Sequence, residues 1–381
     1  MITPSQPDSL RPYLGSGAVS SHSAIRQFND FEQFGELFPG LQCSIMQTSG
    51  GAFSGSVRSA SQEEITVFEA HTNQSLFVSL QGRNRFLIVP VTAENSNSIW
   101  GGFRLQPGTL LVVNLHSPAH VLIARDSRLT GLMLPRHMLQ TVLQDFMRDK
   151  NQIRGLLRRP ARVVALQRFN TLHQKIITAL DSGLRGAVFV DGRLLPSQHA
   201  ELLEQTIRAL QYSVPLRTRG NSAAFRRSRL FCDTTVHLAG LLEQPLTSEQ
   251  LCSSMQIPSS ILRRAFLAST GIAPLAWFRL MRLHAVRRTL KTLRQSRDLD
   301  RTVAAIARKF GFHRLGTFAQ DYTRLFGERP SWTLGVRGKD RDIARSPRRM
   351  KKTSDPPSEP ISGVRMLHDA QLPSLTDLSF S

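Results

Sequence analysis

Gly311-Phe-His-Arg-Leu-Gly-Thr-Phe-Ala-Gln-Asp-Tyr322, closed by Phe326-Gly327 and Pro330-Ser331, is the stretch on which the reading of this chain turns. Leu315, Phe318, Tyr322 and Phe326 recur at helical spacing and predict one inward stripe. Gly311 supplies a sharp turn ahead of that helix, Gly327 ends it, and Pro330 prevents continuation. Just upstream, Thr302 can cap a helix carrying Val303, Ile306, Ala307 and Phe310. Two short helices about a tight turn make a helix-turn-helix. Its outward residues are His313, Arg314, Gly316, Thr317 and Gln320, with Arg324 nearer the C-terminal end. Gln can read adenine bidentately, and Thr can meet a thymine methyl or a phosphate. A glycine inside a helix costs about 1 kcal/mol relative to Ala. Gly316 therefore marks a close approach to a sugar–phosphate backbone or is a tolerated surface residue.

The same plan occurs once before. Thr247-Ser-Glu-Gln250 fits a capping box, and Leu251, Cys252 and Met255 give an apolar stripe that stops before Pro258. A second helix is expected to turn Ile261, Leu262, Ala265 and Phe266 inward and to end at Gly271, with Pro274 restarting the chain. Ser259, Ser260, Arg263 and Arg264 are left outward. That polar, cationic face is either an ordinary solvated surface or a reader of the major groove, where Arg pairs bidentately with guanine. Between the two pairs, Pro274 to about Leu293 reads as one helix of roughly 30 Å, close to a turn of B-DNA at about 34 Å. A spacer of that length can set two recognition helices in successive major grooves. Arg279, Arg282, Arg287, Arg288 and Lys291 lie along it, to meet phosphates or solvent.

These residues resemble the AraC/XylS family of transcription regulators. The matching pieces are Ile257-Pro-Ser-Ser-Ile-Leu-Arg-Arg-Ala-Phe266, Thr270-Gly-Ile-Ala-Pro274, Arg282-Leu283 with Arg287-Arg-Thr-Leu290, Val303-Ala-Ala-Ile-Ala307 and the opening stretch. Within the family, Arg282-Leu-His-Ala-Val-Arg-Arg288 and Pro330-Ser-Trp-Thr-Leu334 are similar to the ethanolamine-operon regulators. The resemblance implies base reading by Ser260, Arg263 and Arg264 in one helix and Gly316, Thr317 and Gln320 in the other. It also implies an N-terminal β-barrel that binds a small effector or dimerises. This chain departs from the family in two ways. Pro258 and Arg314 stand where the recognition helices usually have an N-cap Ser, and Gln320 stands where many members have Arg. Both departures bear on the target sequence.

Outward from this segment the composition changes. The expected fold is α+β and multidomain, with a cupin-like β-barrel or sandwich, a helical middle segment and an all-α double helix-turn-helix. Residues 1–24 are Ser/Pro-rich and read as a disordered arm. Residues 25–135 carry short apolar or alternating runs punctuated by Gly and Pro, such as Leu76-Phe-Val-Ser-Leu80 and Arg85-Phe-Leu-Ile-Val89, and predict a β-rich effector domain. Residues 136–245 turn helical, with Leu139, Val142, Leu143 and Phe146 on one stripe and Leu202, Leu203, Thr206 and Leu210 on another, and are read as a linker or dimerisation segment. Residues 246–335 are the DNA-binding domain. Residues 336–381 begin with a basic run (Arg337, Lys339, Arg341, Arg345, Arg348, Arg349, Lys351 and Lys352) and then become Ser/Pro-rich, as a disordered tail does.

The chain has 381 residues and a formal net charge of +21, which attracts polyanions without choosing among them. No apolar run reaches the ~18 residues of a membrane span, and no signal peptide is read. Cys43, Cys232 and Cys252 are odd in number and far apart, which fits a reducing cytoplasm. A cupin-type enzyme would need a metal triad, and His71, His116 and His120 lack a carboxylate at ligand spacing. A DNA-alkyl-transfer enzyme would need an activated Cys, and all three sit in apolar or neutral contexts. Trp100 and Phe103 either line an apolar effector pocket or simply pack. The reading is a non-enzymatic regulator without a cofactor. Its expected partners are double-stranded DNA, RNA polymerase, a small effector of unknown identity and a second copy of the chain.

Overall fold

The structure, a computed structural model, describes residues 21–37, 41–62, 65–82, 84–104, 106–116, 118–147, 153, 161–184, 196–215, 221–296 and 302–335. The expected disordered tail and most of the expected N-terminal arm lie outside these. The described part of that arm is ordered: strand β1 (Ser21–Phe28) begins within it and pairs antiparallel with residues 55–62.

Two antiparallel sheets form. The larger has the order β1, β3 (Gly55–Gln62), β4 (Ile65–Thr72), β11 (Ser127–Pro135), β6 (Arg85–Pro90), β9 (Thr109–Asn114), β12 (Ala161–Val163) and β13 (Val214–Pro215). The smaller has the order β2 (Leu41–Gln47), β5 (Leu76–Gly82), β10 (Ala119–Ile123), β7 (Ile99–Trp100) and β8 (Phe103–Arg104). The front domain is thus a sandwich of two sheets, not a closed barrel.

Period-2 geometry explains why several of these strands read as solid apolar runs. Successive side chains point to opposite faces, so a sheet covered on both sides needs apolar residues at every position. On one face of the larger sheet, Ile65, Val67, Phe86, Ile88, Leu110, Val112, Leu132 and Leu134 join a core with three helices: α1 (Arg136–Phe146), α2 (Leu166–Leu184) and α3 (Pro196–Gln211). Leu139, Val142, Leu143, Leu202, Leu203 and Leu210 are the helical side of that core, as their spacing predicts. Phe146 departs from the expected stripe and is 37% exposed at the helix end. The alternate residues Phe68, Leu87, Val89, Leu129 and Met133 line a cavity shared with the smaller sheet. The described residues of the middle segment up to 215 therefore form a third layer and also lend β12 and β13 to the larger sheet, whereas its part from Arg226 on belongs to the second compact unit.

The remaining helices are α4 (Asn221–Ala239), α5 (Ser248–Met255), α6 (Ser259–Thr270), α7 (Pro274–Ser296), α8 (Val303–Lys309), α9 (Leu315–Phe326) and α10 (Pro330–Leu334). The chain forms two compact units. Among the described residues, one is built from those up to Phe225 together with Gly316–Arg329, and the other from those between Arg226 and Leu315 together with those from Pro330 on. In the second unit the core is aromatic. Phe231 of α4 meets Phe266 of α6 edge-on at 4.9 Å and Trp277 of α7 at 5.2 Å. Among the described residues no helix is long and apolar enough to cross a membrane.

Candidate nucleic-acid interface

The first helix pair is built by its caps. The Thr247 hydroxyl accepts a hydrogen bond from the Gln250 amide at 3.2 Å, and Gln250 Oε1 accepts from the Thr247 amide at 2.8 Å. This is the reciprocal capping box expected from the sequence. Helix α5 ends on Gln256, in the left-handed region at φ 54°, and α6 starts after Pro258 with no side-chain cap. Gly271, at φ 72°, ends α6 by donating its amide to Leu267 O at 3.0 Å. A left-handed residue at that point suits glycine, which has no Cβ to clash.

Leu262, Ala265 and Phe266 are buried as expected, and Ser259, Ser260, Arg263 and Arg264 are all exposed. Ile261 corrects the reading, because it is 47% exposed instead of inward. At 100° per residue it falls at the edge of the Leu262, Ala265 and Phe266 face, on the side toward Arg264. The exposed face of α6 is thus one Ile amid Ser and Arg, on a helix without an acidic residue.

Helix α7 runs for 23 residues, about 34 Å at 1.5 Å per residue, and also lacks an acidic residue. Its cations divide. Arg279 and Arg288 are exposed, Lys291 is half-buried, and Arg287 is buried at 7% exposure. Arg282 is half-buried over the Phe278 ring at 4.2 Å. Its Nε donates to Leu242 O at 2.9 Å and its Nη2 to Gln244 O, so this guanidinium holds the approach to α5. Lys309 pairs with Glu243 of the same approach at 3.0 Å.

In the second pair, Thr302 caps α8 by accepting from the Ala305 amide at 3.2 Å. Gly311 turns the chain at φ 78°, and a Cβ there would come within 2.9 Å of Arg282 Nη1. Along α9, Phe318, Tyr322, Leu325 and Phe326 are buried, and Leu315 is half-buried. His313, Arg314, Gly316, Thr317, Gln320 and Arg324 are exposed. A Cβ built on Gly316 meets nothing within 4 Å, so the fold itself does not require a glycine there. Arg324 stands 4.0 Å from Asp321, one turn back.

A second candidate site lies within the first unit. Phe34, Cys43, Ile45, Phe68, Leu80 and Trp100 are among the side chains around an apolar cavity of about 50 Å³ between the two sheets. Trp100 takes part as the pocket reading expects, whereas Phe103 is not among the lining residues. Burial pushes the Cys43 thiol up to about 11. Burial, and then Asp233, push Cys232 up to about 12. Such thiols are the opposite of an activated alkyl acceptor. His120 stacks on Phe77 at 5.8 Å, and its pKa is lowered by burial. Among the described residues no three His, Cys, Asp or Glu side chains gather as a metal site.

Residues 251–334 match the family model described as a helix-turn-helix domain. The chain is 30% identical over 98 residues to the probable thc operon regulatory protein of Rhodococcus erythropolis, a match spanning 26% of this chain and 29% of that relative. It is also 30% identical over 95 residues to the XylDLEGF operon transcriptional activator 2 of Pseudomonas putida, spanning 25% of this chain and 59% of the relative. The aligned part thus covers less than two thirds of either relative's length. Among solved structures, the AraC-like transcriptional activator CuxR is similar over 70% of this chain and 94% of its own, with 14% identity and a TM-score of 0.37. ToxT from Vibrio cholerae is similar over 78% of this chain and 98% of its own, with 11% identity and a TM-score of 0.25.

Proposed function

We propose, from the match of residues 251–334 to a helix-turn-helix family model, that the whole chain is a sequence-specific DNA-binding transcription regulator of the AraC type, acting as an activator. Helices α6 and α9 read successive major grooves. The observation that carries this is the paired, outward polar face: Ser259, Ser260, Arg263 and Arg264 on one helix, and Gly316, Thr317 and Gln320 on the other, every one exposed. His313, Arg314 and Arg324 supply phosphate contacts around the second reader, and the exposed Ile261 supplies an apolar contact for a thymine methyl. RNA polymerase and a second copy of the chain complete the proposed partners.

Salt titration tests the function. Phosphate contacts are common to all DNA and weaken together as salt rises, whereas base contacts are made only on the correct site. The affinity ratio for a selected site over random duplex should therefore stay at about 10³ or more between 50 and 200 mM salt. A ratio near one throughout describes a packing protein instead.

The effector reading rests on the apolar cavity. Its lining selects an uncharged, largely hydrocarbon ligand. At about 50 Å³ it is smaller than the ~150 Å³ apolar cavity that accommodates benzene, so a larger guest must spread its walls. Cys43 reports on this. Since only thiolate alkylates and burial holds the thiol at about 11, iodoacetamide labelling of Cys43 should rise about tenfold per pH unit from pH 7 to 10. Saturating toluene should slow labelling at pH 9, and an unchanged rate would argue against an accessible pocket.

A further inference from the structure

We propose that the end of β2 and the loop after it, residues 47–52, form a clamp that positions the second reading helix, with Gln47 as its positioning residue; this rests on α9 being a DNA reader. Both sides of the contact belong to the first unit. Gln47 is a polar side chain only 1% exposed. Its Nε2 donates to Leu325 O at 2.7 Å, and to Gly51 O at 2.6 Å and Ser49 O at 2.9 Å. The Gly51 amide also donates to Leu325 O, at 3.2 Å. Leu325 lies in the last turn of α9, where carbonyls have no partner inside the helix. The loop therefore completes the end of the helix.

The fit is backbone against backbone. A Cβ on Gly50 would stand 2.8 Å from Arg324 O, and one on Gly327 would stand 2.4 Å from the Ala52 amide nitrogen. Phe31 stacks on Phe326 with ring centres 6.2 Å apart and planes at 17°. All of these contacts fall on residues 324–327. Gly316, Thr317 and Gln320 remain exposed toward the other end, so the clamp sets the helix without covering its reading face.

The clamp is also continuous with the cavity. Leu41, Cys43 and Ile45 line the cavity from alternate positions of β2, and Gln47 is the next position of that series. The cavity wall and the clamp thereby share one strand.

The test is DNA-site selection with the full chain, run for the wild type, Gln47→Ala, Gly50→Ala and Gln320→Ala. Gly50→Ala keeps the Gln47 side chain and wedges only the contact with Arg324 O, so it serves if Gln47→Ala folds poorly. The expected result is that both clamp variants lose roughly tenfold discrimination, the scale of one bidentate base contact. The loss should fall only at the base positions that Gln320→Ala affects, with the rest of the site read as before. Equal losses at every position would mean that Gln47 is merely structural and would overturn the proposal. A Gln320→Ala effect with no effect of either clamp variant would overturn the clamp alone. No effect of Gln320→Ala would remove the reading of α9 as a reader, and the clamp's purpose with it.

Discussion

Trp277→Ala is expected to destabilise the second unit by about 3–5 kcal/mol, the range for truncating a buried aromatic. Trp277 is fully buried, and its ring lies at 72° to Phe231, which in turn packs at 76° on Phe266. These three rings come from α7, α4 and α6, so one truncation opens a cavity where three helices meet. Marginal stabilities of about 5–15 kcal/mol make such a loss a large fraction of the whole. DNA binding should fall with it, because α6 is held from behind by Phe266 and has no side-chain cap at its start. Urea unfolding followed by fluorescence measures the change. A loss below about 1 kcal/mol would show that the aromatic cluster does not hold the reader.

Arg263→Ala is expected to leave stability nearly unchanged and to relax the site at one base pair. The side chain is exposed on a helix without an acidic residue, so little of the fold depends on it. A bidentate Arg–guanine pair is worth about 1–3 kcal/mol of discrimination, or roughly 5- to 150-fold. The contrast is Arg288→Ala, an exposed cation on α7, which should weaken all sequences alike and reduce the salt slope by about one phosphate contact. Site selection distinguishes the two. An Arg263→Ala profile identical to the wild type would remove this residue from the reading set.

The parts of this architecture that depend on local chemistry were legible in the sequence. The capping box at Thr247 and Gln250, the left-handed glycines 271 and 311, and the outward polar residues of α6 and α9 are all set by neighbours within four residues, and the structure shows each as read. The apolar runs of β6 and β9 also announced buried strands. Legibility ended where a residue answers to something distant in the chain. Gln47 looks like an ordinary polar strand end, yet its partner Leu325 is 278 positions away. The stripes of α1 and α3 showed that one face is buried, but not that the larger sheet covers it. Strands β12 and β13 span three and two residues, too short for any periodic signal. Ile261 is apolar, so the sequence alone sent it inward, whereas its place at the edge of the buried face leaves it in the open.

The central proposal is that α6 and α9 each read bases of one duplex, in successive major grooves. Paired site selection with Arg263→Ala and Gln320→Ala measures this most directly. The expected result is two separate sets of relaxed positions, with centres about 10 base pairs apart. Relaxation of the same positions by both variants, or at a separation that puts the two helices on opposite sides of the duplex, would contradict it.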